Sequence, residues 1–214
     1  MNELPPQEKW LRLSEEKNAL DYLEKATFFI KQTPKDYRNW KWVLIGLHGA
    51  LYGFAIAACR GTDSHSVLTK KGKLISFWEA LKRCQDPSYM KMLIHSEHLN
   101  LSDSQEKSIE LLKSEFRNEF EHFKPKGWSI ELHGMPEIAI DILEVIKFLA
   151  LETNTYVHLS DTEENLVKHL TEDSIEFIKN SELYAELLLA KEIYRKESSD
   201  NKRLHGTAEK PHCP

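Results

Sequence analysis

The chain is organised by the stretch SDSQEKSIELLKSEFRNEFEHFKPKGW, residues 102–128. Ser102 followed three residues later by Gln105 is a capping-box start, because each side chain can satisfy a backbone amide of the other at a helix N-terminus. Ile109, Leu112, Phe116, Phe120 and Phe123 then recur at steps of three and four, one apolar stripe at helical period. Lys124-Pro125 and Gly127 end it, since a proline restricts the residue before it and cannot join the hydrogen-bond ladder. With Phe116 at the centre of the buried face, Arg117 falls at about +100°, Glu121 at about 140°, Asn118 at about 200° and His122 at about 240°. All four are expected to point away from the helix's own core. Arg117 and His122 stand about 140° apart on that wheel, so they can meet at one atom only if the helix frays near Phe123 or a second copy brings the same pair across a two-fold axis.

The rest of the chain reads as further helices. The first is expected over about residues 7–32, burying Trp10, Leu13, Leu20, Leu23, Thr27 and Ile30 and leaving Glu15, Glu16 and Lys17 mostly off the stripe. The second is expected over about 36–60. Its centre, WVLIGLHGALYGFAIAAC from Trp42 to Cys59, is the most apolar run in the protein. A membrane span needs about 20 apolar residues. This shorter run carries His48 and three glycines, and is read instead as a central helix enclosed by its neighbours. Gly46, Gly49, Gly53, Ala50 and Ala57 would let those neighbours approach closely. Residues 61–100 read as an insertion between the second and third core helices, with short helices over 74–84 and 88–98. A further helix starts at Met135-Pro136, with a stripe of Ile138, Ile142, Val145, Ile146 and Leu149 and with Glu137, Asp141 and Glu144 on the opposite side. A long helix or kinked pair follows over 162–196, opened by the capping box Ser160/Glu163 and anchored by Leu166, Leu170, Ile175, Ile178, Leu183, Leu187 and Tyr194. Residues 198–214 are polar and are expected to form a flexible tail. The sequence therefore predicts an all-α protein, a single helical domain over 1–197.

An arginine, four residues and then a histidine, with an asparagine directly after the arginine, near the end of a helix in an all-helical chain, resembles the HEPN superfamily. The motif here is RNEFEH, Arg117 to His122. The same spacing occurs between Arg60 and His65, but in a Gly/Ser/Asp loop without the asparagine or an apolar helix. The resemblance implies an up-and-down helical bundle and, for many members, a metal-independent ribonuclease whose site forms across a homodimer. Arg117, Asn118 and His122 would be the catalytic set, cleavage would leave a cyclic phosphate end, and the biological setting would be that of a toxin or defence effector with a neutralising protein partner. The alternative within the same resemblance is a non-catalytic dimer that binds RNA, a nucleotide or a protein.

Residue chemistry fits that reading. His122 can exchange protons near neutral pH. Arg117 offers a fixed fork of donors to phosphate oxygens and stays charged. Asn118 can orient His122 as an i, i+4 neighbour or hold a phosphate oxygen. Lys124, Lys126 and His133 concentrate donors beside them, Trp128 is either a stacking surface for a base or a plug for the bundle end, and His48 is either a satisfied core histidine or a pocket-lining residue beneath the site. The scheme needs no metal or cofactor. His95 and His98 form an i, i+3 pair, but zinc requires further ligands and nothing nearby supplies them. The bland alternative is a solvated helix with an Arg117–Glu121 salt bridge.

A net charge of −5 excludes a generally basic nucleic-acid coat while allowing a local positive pocket. Cys59, Cys84 and Cys213 are scattered, without a disulfide framework, and the start MNELPPQEKW lacks a signal-peptide pattern. A reducing cytoplasm is the expected location.

Overall fold

The computed structural model describes residues 10–11, 13–93, 96–121, 129–155 and 159–205. Helices carry the architecture throughout. They are α1 (Glu15–Ile30), α2 (Asn39–Arg60), α3 (Phe77–Gln85), α4 (Pro87–Met92), α5 (Asp103–Glu110), a π-helical stretch (Leu111–Phe116), α6 (Arg117–Glu121), α7 (Met135–Leu151), α8 (Asp161–Lys179) and α9 (Glu182–His205). Among the described residues the nearest approach to a sheet is one isolated bridge, Leu68 to Leu74. The protein is an all-α bundle.

At its centre lies α2, packed against α1, α3, α7 and the π-helical stretch. Val43, Leu44, Leu47, Leu51, Phe54 and Ala58 are fully buried. It is long and apolar enough to cross a membrane, yet two thirds of its apolar window (67%) is covered by the protein itself. The glycines expected to admit a close neighbour do so. A Cβ on Gly53 would lie 2.6 Å from Ala19 Cβ, and one on Gly46 would lie 2.9 Å from Ala26 Cβ and 3.1 Å from the Tyr22 carbonyl. Backbone lies behind both contacts, so the α1–α2 pair cannot absorb larger side chains by rotamer changes alone. Gly53→Val is expected to destabilise the protein by about 1–3 kcal/mol, and an unchanged midpoint in urea would contradict this packing.

Several expectations need correction. Ser14 caps α1, its hydroxyl accepting from Lys17 N at 3.3 Å. The helix therefore starts at Glu15, and Trp10 and Leu13 stand 72% and 54% exposed instead of lying on a buried stripe. Glu16, expected off the stripe, is buried because Arg60 at the end of α2 reaches it at 2.6 Å and also bonds Glu15. Asp141 of α7, expected on an open face, is covered by α5 and accepts from Ser104 and Ser108 at 2.8 and 2.6 Å. Glu137 and Glu144 remain at the surface, bonded to Lys191 and Gln105. Tyr194 is 73% exposed and anchors nothing. On α8 the fully covered positions are Val167, Thr171, Ser174 and Ile178, with Leu166, Leu170 and Ile175 at their margin. The expected kinked pair is real, interrupted at Asn180-Ser181, but α9 continues to His205, inside the stretch expected to be a tail.

Residues 61–100, between α2 and α5, pack onto the bundle. Val67, Ile75, Phe77, Ala80, Leu81, Cys84 and Leu99 join the common core. Polar contacts tie the segment down: Tyr52 Oη donates to the Ile75 carbonyl, Arg83 to the Ser66 carbonyl at 2.6 Å, and Tyr89 Oη to the Cys59 carbonyl at 2.9 Å. Gly61 closes α2 at φ +59°, a conformation costly for other residues.

Candidate functional site

The capping box Ser102/Gln105 forms as the sequence predicts and starts α5. After two turns the helix widens. Residues Leu111–Phe116 are π-helical before the α ladder resumes at Arg117. A π turn closes with one more residue than an α turn, so each residue in it advances by less than the usual angle. Everything downstream lags the straight wheel by about one residue, about 100°. Ile109 and Leu112 keep the deepest positions, while Phe116 and Phe120 are only half-buried. Arg117 is accordingly carried toward the bundle, half-buried with its Nε covered, instead of pointing away as a straight helix would place it.

There it joins side chains from two other elements. His48 of α2 lies flat on Phe77 of α3, with ring centroids 4.9 Å apart and planes at 17°. Lys113, from the π-helical stretch, sets its Nζ 5.7 Å from the same Phe77 ring. Trp78 meets the other side of Phe77 edge-on at 5.2 Å. Burial lowers the pKa of His48 to about 4, and the charges of Lys113 and Arg117 push in the same direction. The imidazole is therefore neutral at pH 7, and its Nε2 is covered without a hydrogen-bond partner among the described residues. Two cations thus stand near a neutral, under-used imidazole in a chain of net charge −5.

The histidine has a measurable consequence for stability. Its folded pKa lies below the unfolded value, so the stabilising share is complete above about pH 6.5 and is lost as pH falls toward 4. Full passage through that window, from 6.5 to about 4, is worth about 3 kcal/mol. His48→Leu should flatten the decline in melting temperature between pH 7 and pH 4.5. An equally steep decline in the variant would contradict the assignment.

Of the other expected site residues, His122, Lys124, Lys126 and Trp128 lie outside the described residues, as does His95. Asn118 directs its amide nitrogen to the Ser114 carbonyl at 3.0 Å, one turn back along the helix. His133 is half exposed between two carboxylates, 3.4 Å from Glu131 and 3.6 Å from Glu186. It thus has acidic company that was not anticipated. The competing pair is structural: Arg60 is held by Glu15 and Glu16, while His65 sits in a short 3-10 turn. Among the described residues no three His, Cys, Asp or Glu side chains gather as a metal site would need.

Two members of the pocket were missed. Lys113 was signalled by its i, i+4 relation to Arg117, which sets two cationic side chains on one helix face. Phe77 was signalled by Ser76 and Glu79, the start pattern of α3, where Ser76 accepts from Glu79 N at 3.2 Å. Against known proteins, the chain matches no family model, no curated protein and no solved structure.

Proposed function

We propose that this protein is a metal-independent endoribonuclease of HEPN type, acting at a site completed by a second copy. The observation that carries the reading is the inward turn of Arg117, which sets a guanidinium and the Lys113 ammonium beside a neutral His48. Such a pocket suits a phosphodiester: the guanidinium fork matches two phosphate oxygens, and the cations offset the charge that builds in the transition state.

In the proposed step the RNA 2′-oxygen attacks the adjacent phosphorus. The bond from phosphorus to the 2′-oxygen forms and the bond to the 5′-oxygen breaks. The 2′-hydroxyl proton goes to one His122 imidazole, and the leaving 5′-oxygen takes a proton from the His122 of the other copy. The products are a 2′,3′-cyclic phosphate and a 5′-hydroxyl. Leu111 and Arg117 would then lie near the two-fold axis. A second reading, binding without cleavage, draws on Asn118, whose amide nitrogen is spent on the Ser114 carbonyl. Incubation of the purified protein with total RNA in EDTA separates the two, and the same preparation should be dimeric by light scattering at micromolar concentration. Intact RNA with a dimeric protein favours the binding role, whereas a monomer argues against the shared site.

A further inference from the structure

A cleft of about 450 Å³ opens between α3 and α5, a size that holds a small molecule. Each helix gives it one face. Trp78, Leu81, Lys82 and Gln85 lie at helical spacing along α3, and Glu106, Ile109 and Glu110 do so along α5. Leu81 and Ile109 are buried and form an apolar floor. Trp78, 45% exposed, keeps indole surface open to the cleft.

The polar groups on these walls are out of balance. Glu106 and Glu110 are i, i+4 neighbours and set two like charges on one helix face, an unfavourable pair. Among the described residues, the side chains of Glu106, Glu110 and Lys82 make no hydrogen bond or ion pair. Gln85 spends its Nε2 on the Leu81 carbonyl at 3.2 Å, so its Oε1 remains an acceptor. Three acceptor groups therefore face one donor, the Lys82 ammonium, and two carboxylates outweigh its charge. An anion would meet the repulsion of both carboxylates. An uncharged apolar molecule would take water from them and return no hydrogen bond. A primary ammonium brings three N–H donors, one for each acceptor, and the face of an indole attracts a cation. A ring or alkyl chain joined to that ammonium would cover the apolar floor. We propose that the α3–α5 cleft is a binding site for a primary organic amine with an aromatic or alkyl body. This site is separate from the RNA reading above and does not depend on it.

NMR titration of the full chain with 2-phenylethylamine tests this, with 2-phenylethanol and 3-phenylpropanoate as controls of similar shape. The amine should bind about tenfold or more tightly than either control and should shift the Trp78 indole N–H signal. Glu106→Gln with Glu110→Gln should weaken amine binding about tenfold or more, the effect of losing hydrogen bonds to charged acceptors. Trp78→Ala should weaken it about five- to tenfold, and Trp78→Phe should keep most of the affinity. Lys82→Met should strengthen it about threefold, because the one like charge in the cleft is gone. All four positions are exposed, so the variants should fold, and their amide spectra check this. The alcohol or the carboxylate binding as tightly as the amine would overturn the proposal. So would no amine binding at millimolar concentration, signal changes confined to other faces of the protein, or unaltered affinity in the glutamate double variant.

Discussion

Arg117→Ala should lose at least about a hundredfold in RNA cleavage, measured in EDTA with the wild-type protein alongside, because removing one charge-stabilising donor from a phosphoryl-transfer site typically costs that much or more. His122→Ala should lose a comparable amount, within the 10²–10⁴ range of a general acid–base residue. Arg117 is half-buried rather than part of the core, so circular dichroism and the melting temperature should change little. Arg117→Lys is the informative companion. It keeps the charge and loses the fork, so it should retain RNA binding yet cleave far more slowly. The helix register also predicts that His48 responds. If the guanidinium is one source of its depressed pKa, Arg117→Ala should raise the His48 titration midpoint from about 4 toward its ordinary value. Full cleavage by Arg117→Ala or by His122→Ala would remove the catalytic proposal.

The largest expected effect on stability lies at the other end of α2. Arg60 and Glu16 form an ion pair whose side chains are 13% and 2% exposed, with Glu15 as a second, more open partner. Removing one member of a buried pair leaves an uncompensated charge, which costs about 3–5 kcal/mol. Arg60→Ala should therefore lower the melting temperature by about 10 °C. Replacing both members with apolar residues of similar volume, Arg60→Met with Glu16→Leu, should recover most of that loss, because the desolvation of both charges disappears together. A double variant no more stable than Arg60→Ala would mean that the pair does more than offset its own burial. Denaturant midpoints for the two singles and the double close this cycle.

Much of the bundle was legible in the residues. Capping boxes located the starts of α5 and α8, a first-turn proline located that of α7, and the stripe of α7 from Ile138 to Leu149 is buried as read. Small residues on α2 announced the tight crossing with α1. What failed did so for identifiable reasons. Glu16 and Asp141 looked like surface residues because charge is a local property, whereas their partners, Arg60 and the Ser104/Ser108 hydroxyls, are distant in sequence. How the 61–100 segment packs was not legible because its apolar residues are few per stretch; only in the folded chain do Phe77, Leu81 and Cys84 complete the surface of α2. The orientation of Arg117 failed because a wheel drawn at constant pitch cannot represent a helix that changes pitch in its middle.

That widened turn over Leu111–Phe116 ties the pocket to the number of residues in the segment as much as to their identity. Among related chains, a segment of the same length wound as a regular α-helix would swing the guanidinium out to water with every motif letter intact, whereas a one-residue deletion with normal closure would keep it facing the bundle. Two sequences sharing the RNEFEH hexamer can therefore differ in where the guanidinium points, and the distinguishing mark is whether the extra residue upstream of the arginine is taken up by a widened turn.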